Sequence, residues 1–246
     1  MNMKEYDIIL FKDSLNKFDI ELTDKQLEQF IQYYELLIEW NSFMNLTAIT
    51  EFQEVIKKHF IDSISLVKAI PNLEEQYGTV IDIGTGAGFP GIPLKIVFPK
   101  LQVTLLDSLK KRVQFLDKVV NTLELSKVSI IHGRAEDYAR PDKLREKFDL
   151  CVSRAVANLT TLSEYCIPFV KINGYFISYK SEKIVEEYEN AKNAIKILGG
   201  RFERQVDFLI PNSDIYRNLF IIKKEKVTPV KYPRKAGVPS REPIHF

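Results

Sequence analysis

The run VIDIGTGAGFPGIP, residues 80–93, constrains this chain more than any other segment. An apolar, β-branched stretch reaches Asp82 and Ile83, then meets Gly84, Gly86, Gly88 and Gly91 in close succession before helical spacing begins. A strand that breaks into glycines and continues as a helix makes a tight turn whose backbone a ligand can approach, with unpaired helix amides behind it. The rest of the chain keeps this strand-then-helix rhythm. TVIDI (79–83), QVTLLD (102–107), KVSII (127–131), FDLCVS (148–153) and GYFISY (174–179) read as strands. Helical stretches fall around 91–98, 109–124, 157–170 and 182–198, the last closed by Gly199 and Gly200. This alternation predicts parallel strands, right-handed crossovers and a doubly wound α/β sheet. The last two runs, RFERQVDFLI (201–210) and NLFIIKK (218–224), are joined by a link too short for a crossover. They are expected to form an antiparallel pair that closes the sheet.

Upstream of Gly78 the pattern is helical. Thr23 followed by Gln26 has the spacing of a capping box. Leu27, Phe30, Ile31, Tyr34, Leu37 and Ile38 then form one apolar stripe, which Asn41 is expected to end. A second helix is predicted from about Glu51 to Ala69, burying Val55, Ile56, Phe60, Ile64 and Val67, with Pro71 as its stop. Beyond Val227 the segment TPVKYPRKAGVPSREP predicts an extended tail. The expected parts are therefore 1–72, 73–227 and 228–246. A length of 246 residues fits one large α/β unit with a small appended part. The charges Lys4, Glu5, Asp7, Lys12 and Asp13 leave no apolar core for a signal peptide, and no run approaches the length of a membrane span, so a cytoplasmic location is expected. Two cysteines, Cys151 and Cys166, and three histidines give neither a disulfide framework nor zinc-site spacing. No metal is expected.

Charge is unevenly placed although the net value is only +2. Residues 1–40 carry nine acidic side chains against four basic ones, whereas residues 223–241 carry seven basic ones against Glu225 alone. Such an asymmetry suits a polyanionic partner at one end of the chain, and a solubilising tail accounts for the charge equally well.

Three kinds of ligand suit a glycine loop of this form. A nucleoside-triphosphate loop needs a Gly-Lys-Ser/Thr ending, and here Gly91 is followed by Ile92. A dinucleotide loop is formally present as Gly86, Gly88 and Gly91, with Asp107 placed 16 residues beyond for a ribose. Spacing alone leaves that reading open, although Phe89 and Pro90 crowd the place of a pyrophosphate. The third is S-adenosylmethionine, whose D-x-G-x-G-x-G loop is met by Asp82, Gly84, Gly86 and Gly88. That ligand has no pyrophosphate, and Asp107 would accept from its ribose hydroxyls while Asp82 orients the loop or the ammonium group.

Taken together, IDIGTGAGFPGIPLKI, DSLKKRVQFL (107–116), GRAED (133–137), VSRAVANL (152–159) and YPRKAGVP (232–239) resemble the ribosomal RNA small subunit methyltransferase G family, also called GidB. EWNSFMNLTAIT (39–50) and KHFIDS (58–63) extend the likeness upstream to about Thr23. The resemblance implies a class I, Rossmann-like methyltransferase sheet with an N-terminal helical cap over 1–72, a catalytic domain over 73–227 and a basic tail over 228–246. It implies methyl transfer from S-adenosylmethionine to guanine N7 of bacterial 16S ribosomal RNA. By motif, Gly84, Gly86, Gly88 and Phe89 would shape the methionine and ribose region, Asp107 would take the ribose, Ala135 and Glu136 the adenine, and Arg154 would stand beside the cofactor. The sequence departs from the family pattern at Thr85, where serine is common, at Ser181, where glycine is usual, and at Glu242, which interrupts the basic ending.

The residues themselves bear on the target atom. Exocyclic amine methylation usually employs an Asn/Asp-Pro-Pro-aromatic motif after the fourth strand, where this chain reads SRAVA (153–157). Cytosine C5 methylation needs an exposed cysteine nucleophile, and both cysteines fall inside expected elements. Guanine N7 has a free lone pair and needs no general base. RNA would be held by phosphate contacts from Lys58, Lys180, Arg234, Lys235 and Arg241. His59 and Asp62, three apart, share a helical face that the resemblance places near the active site and beside the RNA, and a histidine satisfied by a local carboxylate accounts for the pair equally well. The naked RNA or the small ribosomal subunit would be the partner, and a monomer is expected. The alternatives are a nicotinamide-dependent oxidoreductase and a non-catalytic RNA-binding protein on the same scaffold.

Overall fold

The computed structural model describes residues 7–154, 157–181 and 185–244. Ala155 and Val156 of SRAVA, the first residues of the 182–198 helix, and the terminal charges Lys4 and Glu5 lie outside them. Seven strands form one sheet: β1 (Thr79–Ile83), β2 (Gln102–Asp107), β3 (Val128–His132), β4 (Phe148–Arg154), β5 (Val170–Lys180), β6 (Gly200–Leu209) and β7 (Tyr216–Lys224). Their order is β3-β2-β1-β4-β5-β7-β6. The first five pair in parallel, and β7 lies antiparallel between β5 and β6. The doubly wound sheet with a closing antiparallel pair is thus observed. The order reverses between β1 and β4, and the crevice outside the strand ends at such a point is where open α/β sheets place ligands. Ile83, Asp107, Arg154 and Lys180 are the last residues of β1, β2, β4 and β5, so all four stand on that edge.

The N-terminal layer consists of α1 (Ile9–Asn16), α2 (Asp24–Met44) and a helical stretch from Phe52 to Lys68. Thr23 and Gln26 form the expected capping box, the Gln26 side chain accepting from the Thr23 N–H at 2.9 Å. The Gln26 amide also donates to the carbonyls of Ile96 and Val97, which ties the start of α2 to the end of α6 (Gly91–Val97). Helix α2 runs past Asn41 to Met44 and ends on Asn45 in the left-handed conformation. The Asn41 side chain instead accepts from the Thr47 N–H at 2.8 Å, bridging the turn that follows the helix.

The second helix is not uniform. It comprises α3 (Phe52–Val55), a π-helical turn (Ile56–Ile61), α4 (Asp62–Ile64) and a 3₁₀ turn (Ser65–Lys68). The Asp62 N–H reaches back to the Lys57 carbonyl, five residues away. A short α5 (Leu73–Gln76) precedes β1. One apolar cluster joins Leu27, Phe30, Tyr33, Phe60 and Ile64 of this layer to Val80, Leu105, Phe115 and Ile177 of the sheet and α7 (Lys110–Thr122). The opposite face of the sheet packs on α9 (Leu159–Cys166) and α10 (Val185–Ile197) through Cys151, Leu162, Cys166, Ala191 and Ile195. Both cysteines are fully buried. Among the described residues no helix is long and apolar enough to cross a membrane.

The tail departs from a fully extended course. Gly237, at φ +81°, turns the chain into one helical turn, α11 (Val238–Arg241), with Pro239 near its start, where its missing N–H costs nothing.

Candidate active site

The edge formed by the ends of β1, β4 and β5 opens into a cavity of about 870 Å³. Gly84, Thr85, Gly86, Ala87 and Phe89 form one wall; Lys58, His59, Asp62, Arg154, Tyr179 and Arg217 stand elsewhere along it. The loop is held from below by two carboxylates. Asp82 Oδ2 accepts from the Thr85 hydroxyl at 2.6 Å and from the Gly91 N–H at 2.9 Å. Asp107 Oδ2 accepts from the Gly86 N–H and Oδ1 from the Leu109 N–H, both at 2.9 Å. Gly84 and Gly86 have φ of +68° and +62°. A Cβ on Gly86 would meet nothing within 4 Å, so its outer side is open. Gly88, at φ +98°, is the opposite case: a Cβ there would lie 2.5 Å from Ile92 Cδ1 and 2.7 Å from the Tyr33 hydroxyl. Tyr33, wholly buried on α2, donates to the Ala87 carbonyl and packs on Phe89 with ring centroids 5.4 Å apart. The N-terminal helices therefore lock the back of the loop.

These features fit S-adenosylmethionine. Asp82 is completely buried, and its Oδ1 has no hydrogen-bond partner among the described residues. An unsatisfied buried acceptor beneath the loop suits a cationic or N–H-donating group held against it. Burial pushes the Asp82 carboxyl up to about 6, opposed by its bonds to Thr85 and Gly91. Asp107 Oδ2 also meets Arg112 Nη1 at 3.5 Å, and the carboxylate keeps lone pairs beyond these contacts for vicinal hydroxyls.

A second group of residues gathers around Phe89. The His59 ring stacks on it at 4.6 Å and 16°, and the Arg154 guanidinium lies 5.1 Å from its centroid. Arg154 Nη2 faces His59 Nδ1 at 3.4 Å, and His59 Nε2 lies 2.8 Å from the Thr47 hydroxyl. Burial first, then the Arg154 charge, lower the His59 pKa to about 3, so the ring is neutral. Asp62 Oδ2 accepts from Arg154 Nη1 at 2.8 Å, and Oδ1 accepts from Arg217 Nε at 3.0 Å. Lys58 pairs with Glu54 at 2.5 Å, and Lys180 with Glu187 at 2.6 Å.

The sequence-derived residues separate into groups. Gly84, Gly86, Phe89, Arg154, Lys58, His59 and Lys180 line the cavity, with Asp107 bonded to its floor. Gly88 acts from behind the wall. Ala135 and Glu136, at the start of α8 (Ala135–Tyr138), are buried, and Glu136 Oε1 accepts from the Gly237 N–H at 2.8 Å. Arg234, Lys235 and Arg241 do not line the cavity. Arg234 is bound to buried Glu164 of α9 through Nε and Nη2, the latter at 2.7 Å, whereas Lys235 and Arg241 are exposed. Arg140 and Arg145 hold the tail by donating to the carbonyls of Pro233 and Tyr232. His132 faces the Ser108 carbonyl at 3.2 Å, away from the cavity lining. Sequence reading overlooked Arg217, Tyr179 and Thr47. Arg217 carried no motif, and only the β5–β7 register, with Lys180 opposite Asn218, brings it to this edge.

The strand order and the loop define a class I, S-adenosylmethionine-dependent methyltransferase. A family model described as rRNA small subunit methyltransferase G (GidB) matches residues 26–215, and the chain belongs to that family. It is 55% identical over 234 residues to the ribosomal RNA small subunit methyltransferase G of Lachnoclostridium phytofermentans, covering 95% of this chain and 96% of the relative. It is 51% identical over 236 residues to the protein of that name from Alkaliphilus metalliredigens, covering 96% and 98%. For the fold alone, a solved chain from a complex containing the Haloferax volcanii Trm112 methyltransferase activator is similar with a TM-score of 0.55 and 15% identity, over 77% of this chain and 98% of that one. The nicotinamide-dependent alternative is set aside by this membership.

Proposed function

We propose that this protein transfers the methyl group of S-adenosylmethionine to N7 of a guanine in 16S ribosomal RNA. The observation that carries the reading is the single cavity in which the glycine loop and Asp107 meet a wall of paired cations and a neutral histidine. When bound, the cofactor supplies an electrophilic methyl group on a sulfonium. Asp107 takes the ribose hydroxyls, the Gly84–Gly88 backbone and Phe89 bound the methionine side, and Asp82 accepts from a donor above it. Ala135 and Glu136 border the adenine; the Glu136 carboxylate is already engaged by the tail, so it acts there through its backbone and its packing. Arg154 sits between the two halves.

Guanine N7 brings its own lone pair, so the chain has no proton to remove. That suits a lining in which His59 does not titrate near neutral pH and Asp62 is held by two guanidinia. The work left is to align the acceptor in line with the methyl group and exclude water, a contribution of up to roughly 7–11 kcal/mol in effective-molarity terms. Lys58, Lys180, Lys235 and Arg241 supply phosphate contacts, and His59 and Arg234 shape the surfaces beside them.

The decisive experiment is transfer of labelled methyl to small ribosomal subunits lacking the modification, followed by nucleoside analysis. Label in 7-methylguanosine is the expected result. Label in another nucleoside overturns the target atom. Cofactor binding without transfer to RNA overturns the acceptor and returns the scaffold reading.

A further inference from the structure

Two guanidinia share one carboxylate on the inner wall of the cavity. Asp62 is 2% exposed and both its oxygens are engaged, by Arg154 from the end of β4 and by Arg217 from the start of β7. His59 beside them is neutral, and Lys58 and Lys180 have their own carboxylates. The two guanidinia of this inner wall therefore share a single carboxylate, while exposed Glu186 lines the cavity elsewhere.

The two arginines are not equivalent. Arg154 has its outer edge turned inward: Nη1 donates to Asp62 and the Lys58 carbonyl, Nη2 faces His59, and its face covers Phe89. Arg217 is fixed instead at Nε, on Asp62, and at Nη1, on the Tyr216 carbonyl at 2.9 Å. Its Nη2 has no partner among the described residues, and Arg217 lines the cavity. A guanidinium clamped at two nitrogens and open at the third is a rigid donor aimed at an anion.

Strand order says which anion. Asp107 ends β2, on the β1 side of the switch point; Arg217 begins β7, beyond β4 and β5 on the other side. It thus belongs to the acceptor half. A fixed cation set directly against a base that becomes positively charged on methylation would oppose the reaction, whereas the same cation on a phosphate helps hold the strand.

We propose that Arg217 is a phosphate-binding residue of the acceptor half, held in position by Asp62, and that it takes a phosphate oxygen of the RNA strand carrying the target base. This rests on the RNA methyl-transfer reading above.

The test measures the Michaelis constant for unmodified small ribosomal subunits, the salt dependence of 16S rRNA binding, and S-adenosylhomocysteine affinity. Arg217→Gln should raise KM at least about tenfold more than it lowers kcat. It should also make the plot of log affinity against log salt shallower by roughly 0.7–0.9, the value of one phosphate contact. S-adenosylhomocysteine affinity should stay unchanged. An unaltered KM and salt slope overturns the proposal, as does a parallel loss of S-adenosylhomocysteine affinity. Arg217→Lys keeps the charge but not the clamp, and should raise KM a few-fold with the full salt slope. Should the glutamine variant fail to fold, an unaltered KM in the lysine variant overturns the proposal instead. Asp62→Asn should act in the same direction and add no further loss to Arg217→Gln; additive losses overturn the part given to Asp62. A wild-type chain that binds 16S rRNA but transfers no methyl overturns the methyl-transfer reading, and the salt slopes still decide Arg217.

Discussion

The two halves of the cavity are built from different material. On the glycine-loop half, the ligand-facing groups are backbone amides and carbonyls, pinned by Asp82 and Asp107 through bonds of 2.9 Å to Gly91 and Gly86. On the acceptor half they are side chains, each held by an opposite charge: Arg154 and Arg217 on Asp62, Lys58 on Glu54, Lys180 on Glu187. A backbone wall keeps its shape as long as the fold persists. An ionic wall responds to salt, to pH and to the loss of one partner. Cofactor and RNA binding should therefore fail separately, and in different ways.

The largest expected break in this comparison is Asp62→Ala. It leaves two nearly buried guanidinia without a counter-charge, a loss of about 3–5 kcal/mol of stability by the usual cost of breaking a buried pair. Urea unfolding measures it; a loss under about 1 kcal/mol would mean that water already shields the pair. On the other half, Asp107→Ala removes a charged acceptor from the Gly86 and Leu109 amides. S-adenosylhomocysteine affinity should fall roughly 10–100-fold, the equivalent of one charged hydrogen bond, with RNA affinity little changed. Calorimetry with each ligand reads both, and a matching fall in RNA affinity would erase the division between the halves.

The tail offers a smaller test of the same kind. Arg234→Ala strands buried Glu164 and should cost about 2–3 kcal/mol of stability, whereas exposed Lys235→Ala should stay within about 0.5 kcal/mol and weaken only RNA binding and its salt slope. Equal melting temperatures for the two variants would contradict the distinction. A double variant at both positions would confuse stability with binding.

In wild type the net effect of pH is small, because two opposite shifts offset each other. The His59 pKa is depressed to about 3 from 6.5, so its contribution to stability is complete above 6.5 and is lost as pH falls through 3. The Asp82 pKa is raised to about 6 from 3.8, so its contribution is complete below 3.8 and is lost as pH rises through 6. Between about pH 4 and 6 the two slopes oppose each other. Replacing His59 with Gln leaves Asp82 alone, and stability across that window should then fall more steeply with rising pH. A slope unchanged from wild type would mean that His59 titrates normally.

Those parts of the molecule written in local pattern were legible in the sequence. The Thr23–Gln26 cap, the glycine turn and the alternation leading to an antiparallel β6–β7 pair depend on neighbours in sequence. The bond from Asp107 to Gly86 followed less directly, since spacing placed the carboxylate at a strand end but did not name its donor. What escaped was long-range. Arg217 meets Asp62 across 155 residues, and Arg234 meets Glu164 across 70, distances over which charge carries no periodic signal. The π turn escaped too, because its apolar residues fit an ordinary helical stripe.

That turn can be described as a phase shift. An α-helix advances about 100° per residue, so one additional residue inside a turn rotates everything downstream by about that angle while adding only about 1.5 Å of length. Val55, Ile56, Phe60 and Ile61 stay in the core while Lys58, His59 and Asp62 reach the cavity, and the π turn between Ile56 and Ile61 sets the angle between those two faces. Deleting a single residue between Lys57 and Asp62 would shorten the chain trivially and set its active face out of register with its packing face. For this helix, counting matters more than composition.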